Sequence, residues 1–207
     1  MKYNRIMLFA LLILMFSLFS LGCGTESRIK QLSSEANNYV AKGKLDDAIS
    51  LYNQILQIKE DENIRKQLNE VKYEKYSLEQ VKKFREGLYN IQKNKIRDGI
   101  TVNPTDMEYV FKDLNELVAN FDKIDENKNT DIAKYVKEIK ESISYQNLKD
   151  TLNKGQESFK SAGMDEALGK LDSQYDMLNT IIVASYRNQL NNEIDEILSM
   201  SIPSKYE

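Results

Sequence analysis

The chain has 207 residues, of which 41% are apolar and 29% are charged, with a formal net charge of −3. Its eight glycines and two prolines fall well below the roughly 12% of residues that these two types supply in ordinary proteins. This excludes turn-rich sandwiches and barrels, and we expect an all-α fold of helical hairpins followed by long amphipathic helices. There is no His and only one Cys, so we expect no enzyme, no catalytic residue, no cofactor and no metal site.

The amino-terminal segment has the pattern of an export signal. Lys2 and Arg5 give it a basic start, residues 6–21 carry no charge, and Gly22 and Cys23 follow at once. A basic region, an apolar region and a small residue at the exit are typical of secretory signal peptides, and a run of 16 uncharged residues is shorter than the ~20 residues of a spanning helix. We therefore expect residues 1–22 to be a signal peptide.

The sequence Ser20-Leu21-Gly22-Cys23 resembles the lipobox of bacterial lipoproteins. The resemblance implies lipid transfer to the Cys23 thiol, cleavage before that residue and acylation, commonly with palmitate. It also implies attachment to the cell membrane on its extracytoplasmic face. An uncleaved membrane anchor with an incidental cysteine is the alternative.

The charge of the mature chain argues against nucleic acid as a partner. Cleavage would remove Lys2 and Arg5, which leaves 27 basic residues against 32 acidic ones, a net charge of −5. An acidic protein is repelled by anionic lipid and by nucleic acid. We therefore expect the Cys23 acyl chains, rather than the protein surface, to hold it on the lipid bilayer.

Apolar residues at helical spacing predict a helical hairpin from Ile29 to about Asp61, with a turn at Gly43. The hairpin resembles a tetratricopeptide repeat between Ile29 and Glu62. The matching small, aromatic and glycine positions are Ala36, Tyr39, Gly43, Ala48 and Tyr52.

The repeat family binds partners with the first helix of each hairpin. The resemblance implies that a protein partner from the envelope, or a secreted protein, would contact the outward positions of this helix. These positions are Lys30, Ser33, Asn37, Val40 and Ala41. We single out Asn37 because its amide both donates and accepts hydrogen bonds and because the packing of the hairpin does not require it.

Residues 63–95 are either a degraded second repeat, with a new helix starting near Ser77, or one long helix. Residues 99–104 hold Pro104 and form the clearest break. Beyond it, the sequence predicts a helix from Thr105, a polar turn at 125–130 and a helix from Ile132 to Phe159. A turn at Gly163 and a last helix from Leu168 to Ile197, followed by a frayed end, complete the chain.

Eight of the twelve tyrosines fall into two predicted groups. Those on apolar stripes are assigned to the core, namely Tyr39, Tyr52, Tyr175 and Tyr186. Four others are candidates for a binding face, namely Tyr73, Tyr76, Tyr89 and Tyr145, because exposed tyrosines favour protein partners and sugars.

These observations define an expected organisation and function. The segments are a signal peptide (1–22), a lipidated short tether (23–28), a tetratricopeptide-like helical region (29–98), a linker (99–104), a C-terminal helical region (105–201) and a tail (202–207). We expect a membrane-anchored, non-catalytic protein-interaction module of the cell envelope. A lipoprotein that binds a small ligand or glycan is the alternative.

Overall fold

A computed structural model describes residues 24–97, 104–167 and 173–206 of the chain. Within these residues the structure has seven helices, which we number α1 to α7, and two short helical turns. The helices are α1 (24–41), α2 (Leu45–Ile58), α3 (Glu62–Ile91), α4 (Pro104–Asp122), α5 (Asp131–Glu141), α6 (Ile143–Ala167) and α7 (Ser173–Ser199). A π-helical turn (Gln92–Arg97) follows α3, and a 3₁₀ turn (Ser204–Tyr206) lies near the carboxyl end.

The predicted all-α fold with helical hairpins is confirmed over the described residues, which contain no strand. Cys23 and the proposed signal peptide lie outside these residues. No helix within them is long and apolar enough to cross a bilayer. Residues 24–28, expected to be a short tether, already belong to α1.

The contacts divide the chain into two units, and the division falls between Lys75 and Tyr76, inside α3. The first unit contains α1, α2 and the first part of α3. Ala36 and Ala48 are fully buried where α1 and α2 pack together. Gly43 has φ +70° in the turn that joins them, a left-handed conformation that glycine adopts at no steric cost.

The first unit also determines how α3 begins. The Asp61 carboxylate accepts hydrogen bonds from the backbone N–H groups of Asn63 (2.9 Å) and Ile64 (3.1 Å), which are left without helical partners at this end. The helix then continues without interruption to Ile91. Residues 63–91 are therefore one helix rather than two, and Ser77 is buried within it instead of capping a second helix.

The second unit, residues 76–205, has an aromatic centre that joins α3, α4 and α6. The rings of Phe84 and Phe121 stack with centroids 4.2 Å apart, and Tyr145 contacts both. Burial of large aromatic surfaces supplies much of the stability of such a core. The assignment of Tyr145 to a binding face is wrong, because this residue is fully buried.

Two predicted boundaries in the second unit are also wrong. The helix expected over 132–159 breaks at Ser142, whose backbone is extended and whose hydroxyl accepts a hydrogen bond from the Tyr145 N–H (3.2 Å). The turn expected at Gly163 does not form, because α6 continues to Ala167. A serine cap is a stronger local signal for a helix start than one glycine is for a helix end.

The prediction of a frayed carboxyl end is wrong for Ser204–Tyr206. Tyr206 is buried, and its hydroxyl donates a hydrogen bond to the Glu74 carboxylate. Burial of an aromatic ring with its hydroxyl satisfied orders this turn.

Candidate functional site

All five residues of the predicted partner-binding surface lie on α1. Successive steps of three or four residues, with the adjacent Val40 and Ala41 at the end, place them along one side of the helix. Lys30, Asn37 and Ala41 are exposed, whereas Ser33 and Val40 are half-buried. We call this set the α1 surface.

Asn37 has a structural role that the sequence did not reveal. Its Oδ1 accepts a hydrogen bond of 2.7 Å from the hydroxyl of Tyr52, which is 1% exposed. The expectation that packing does not require Asn37 is therefore wrong, because the amide satisfies the hydroxyl of a core tyrosine. Burial, assisted by the negative charge of Glu70, raises the pKa of Tyr52 above its ordinary value.

Lys30 borders a shallow cavity at one end of the hairpin. The cavity has a volume of about 220 Å³ and includes Glu26, Ile29, Lys59 and Asp61. With Lys30 and Ile55, two cationic, two acidic and two apolar side chains line the cavity. This mixed charge pattern suits a polar segment of a protein better than a strongly charged ligand.

A second cavity, which we call the α6/α7 cavity, lies in the second unit and has a volume of about 350 Å³. Asn147, Asp150, Thr151 and Lys154 line it from α6. Thr151 is only 2% exposed, and its hydroxyl has no hydrogen-bond partner among the residues that the structure describes. A buried hydroxyl without a partner is uncommon in proteins and carries a cost of about 1–3 kcal/mol.

Helix α7 supplies the other wall of the α6/α7 cavity through Ile182, Ser185, Tyr186 and Gln189. The ring of Tyr186 is half-buried and meets Phe111 edge-to-face, with the centroids 5.7 Å apart. This contact fixes the orientation of the tyrosine ring. The cavity thus combines one aromatic ring of fixed orientation with several hydrogen-bonding side chains, a more polar lining than most small-molecule sites have.

The packing beneath this cavity depends on a glycine. A side-chain carbon at Gly155 of α6 would lie 2.2 Å from the Phe111 ring, far closer than van der Waals contact. Phe111 therefore approaches the backbone of α6 directly. The same ring contacts Tyr186, so that Gly155 indirectly sets the shape of the cavity wall.

Sequence reasoning missed this cavity. Asp150 and Lys154 are four residues apart on a predicted helix, a spacing that is common on any solvated helix face. Tyr186 was assigned to the core because of its apolar stripe. Only the pairing of α6 with α7 brings these residues together, and no local pattern encodes that pairing.

The predicted binding tyrosines have different environments. Tyr76 and Tyr89 are about half exposed, and the Lys93 ammonium lies 5.8 Å from the centre of the Tyr89 ring. Tyr73 is half-buried.

The core assignment is confirmed for Tyr52, whereas Tyr39 is half-buried beneath the Lys44 ammonium. The side chain of Tyr175 lies outside the part of the chain that is described.

Comparisons with known proteins found no relative of this chain. No protein family, curated protein or solved structure matches the chain. Within the described residues, no group of three acidic or cysteine side chains converges where a metal ion could bind.

Proposed function

We propose that this protein is an extracytoplasmic lipoprotein, held on the cell membrane by acyl chains at Cys23, which acts as a non-catalytic protein-interaction module. The lipobox-like sequence supports the anchor, and the acidic charge of the mature chain supports a lipid rather than electrostatic attachment. The partner is an envelope or secreted protein.

One observation carries the proposed interaction role. Four of the residues that resemble the tetratricopeptide signature have environments that support a closely packed hairpin. Ala36 and Ala48 are buried at the helix contact, Tyr52 is buried beside them, and Gly43 has a positive φ in the turn. This arrangement supports a rigid hairpin that presents the α1 surface to a protein partner.

A pull-down from detergent extracts of the native envelope tests the α1 surface. The full-length wild-type chain is compared with a Lys30→Ala/Asn37→Ala double variant, which we expect to recover the partner at least tenfold less well. Asn37→Ala also breaks the hydrogen bond to Tyr52, so the matched control is Tyr52→Phe. This control removes the same hydrogen bond and leaves the α1 surface unchanged.

The comparison separates binding from folding. If Tyr52→Phe recovers the partner normally and the double variant does not, the α1 surface is the binding site. Equal recovery by the double variant and the wild type would contradict the proposed surface. Equal loss in both variants would show that recovery depends on the hairpin packing, which would also contradict a direct role for Asn37.

The alternative function, binding of a small ligand or glycan, has a separate observation in its favour. The α6/α7 cavity is polar, and it contains a buried hydroxyl that lacks a partner within the described structure. A ligand that donates or accepts one hydrogen bond at Thr151 would remove this cost. Ligand binding in the second unit and protein binding on the α1 surface are compatible within one chain.

A further inference from the structure

We infer that the α6/α7 cavity binds a neutral, polyhydroxylated ligand, namely a sugar or a short oligosaccharide. This inference rests on the small-ligand function proposed above and is independent of the lipid anchor and of the α1 surface. It names the ligand class and the side chains that recognise it.

The first argument is the balance of charge. The cavity has one carboxylate, from Asp150, and one ammonium, from Lys154, at positions i and i+4 of α6. These two opposite charges sum to zero. The cavity therefore offers no net charge to hold an anion such as phosphate or a cation such as a polyamine.

The second argument is the set of neutral hydrogen-bonding groups. Asn147 and Gln189 present amides, and Thr151 and Ser185 present hydroxyls. Each of these side chains both donates and accepts, as does each hydroxyl of a sugar.

Thr151 gives the decisive observation. Its side chain is buried, lines the cavity and has no hydrogen-bond partner among the described residues. The buried hydroxyl of Ser77 is also without a partner there, but Ser77 does not line the α6/α7 cavity. A ligand hydroxyl beside Thr151 can either donate a hydrogen bond to the threonine oxygen or accept one from the threonine hydroxyl. An apolar ligand would leave this group unsatisfied.

The apolar part of the cavity matches the remaining surface of a sugar. The Tyr186 ring is held by Phe111, and Ile182, which is 39% exposed, lies on the same helix one turn away. Sugar rings have C–H faces that pack on such a surface, while their hydroxyls reach the polar side chains. A volume of about 350 Å³ lies within the range of ligand sites, about 300–1,000 Å³, and at its small end.

Saturation-transfer NMR on the full-length protein tests the inference. The protein is kept in a detergent without a sugar headgroup, and the probes are maltose and N,N′-diacetylchitobiose. Glutamine and inorganic phosphate are the comparison ligands. We expect saturable binding of at least one sugar at millimolar concentration and no saturable binding of glutamine or phosphate.

Three variants locate the binding. Asp150→Asn removes the charge of an exposed side chain and keeps its shape. Thr151→Val removes the hydroxyl of a buried side chain and keeps its shape. Each is expected to raise the dissociation constant of the sugar by about tenfold, the effect of losing one good hydrogen bond. Asn153→Ala, an exposed position on α6 outside the cavity, is the matched control and should bind as the wild type does.

The outcomes distinguish this inference from the broader function. Absence of sugar binding, or binding that Asp150→Asn and Thr151→Val leave unchanged, would overturn it. Binding of glutamine or phosphate that these variants weaken would retain a small-ligand site but overturn the sugar assignment. If Thr151→Val fails to fold, the exposed Asp150→Asn variant still decides the result.

Discussion

At the scale of single residues, the hydroxyl of Thr151 lowers the free energy of unfolding of the ligand-free protein. It is buried and has no partner within the described chain. We therefore expect Thr151→Val to raise the free energy of unfolding by about 1 kcal/mol, since the cost of the unpaired hydroxyl disappears. Urea unfolding of the ligand-free protein, followed by circular dichroism, measures this change.

Ser144 provides the opposite case on the same helix. Its hydroxyl is buried and hydrogen-bonds Glu196. Ser144→Ala should therefore lower the free energy of unfolding by about 1–2 kcal/mol. If both variants were destabilising by similar amounts, the Thr151 hydroxyl would already be satisfied within the folded chain.

Gly155 is a second residue whose environment determines the effect of substitution. Alanine normally stabilises a helix by about 1 kcal/mol over glycine. Here the new methyl group would meet the Phe111 ring at 2.2 Å, so we expect Gly155→Ala to destabilise the protein by about 1–3 kcal/mol. Thermal unfolding of Gly155→Ala, and of the same variant combined with Phe111→Leu, checks the cause.

The double variant separates the two possible effects. The smaller leucine side chain should recover part of the loss if the clash is the cause, relative to Phe111→Leu alone. A stabilising effect of Gly155→Ala by itself would contradict the close packing of α4 against α6.

At the scale of helices and turns, Lys140 organises the polar turn that precedes α5. Its ammonium donates to the backbone carbonyls of Asp122 (3.1 Å) and Ile124 (2.7 Å) and to Glu126 Oε2 (2.6 Å). We expect Lys140→Met to increase amide hydrogen exchange at residues 124–130, because these groups lose their common donor. Lys137→Met, on the exposed side of α5, is the control and should leave the exchange unchanged.

The same contacts give this turn a pH dependence. The hydrogen bond from Lys140 lowers the pKa of Glu126 in the folded state, and the backbone N–H of Asn127 lowers that of Asp125. A lowered folded-state pKa contributes stability above the unfolded value, about 4, and the contribution is lost as the pH falls further. Exchange at residues 124–130 should therefore accelerate, relative to the intrinsic rate, below about pH 4 in the wild type. Lys140→Met should show a smaller change.

Local sequence signals explain which elements could be predicted. Gly43, the buried alanines and the polar turn at 125–130 each have a local physical cause, and the structure has them where the sequence placed them. The break at Ser142 was missed because apolar periodicity continues across it, and only the hydrogen bonds of the serine hydroxyl show the interruption. The burial of Tyr145 was missed for a related reason, since its neighbours Phe84 and Phe121 come from distant helices.

Arg85, a residue of α3, binds the backbone carbonyls at the carboxyl end of α7. Its guanidinium donates to the Tyr135 hydroxyl (2.6 Å) and to the carbonyls of Leu198 (2.7 Å) and Met200 (2.6 Å) at the carboxyl end of α7. These carbonyls have no helical partner, and the cation also interacts favourably with the helix dipole. The donor lies more than 110 residues away from these carbonyls in the chain, so no local sequence pattern indicates the contact.

At the scale of the whole molecule, the all-α fold follows from composition, whereas the candidate sites do not. The scarcity of glycine and proline and the helical periodicity are properties of the sequence itself. The α6/α7 cavity depends on which helices pair, and the Asn37–Tyr52 contact depends on the rotation of α1 against α2. These are tertiary properties, and a single sequence does not contain them in a local form.

The central claim, attachment to the membrane through Cys23, is tested most directly by mass spectrometry of the protein extracted from bacterial membranes. We expect the mature chain to begin at Cys23 and to carry a diacylglyceryl group on its sulfur. Cys23→Ala should accumulate as the uncleaved precursor or be released from the membrane. A wild-type chain that still begins at Met1, with an unmodified cysteine, would contradict the account.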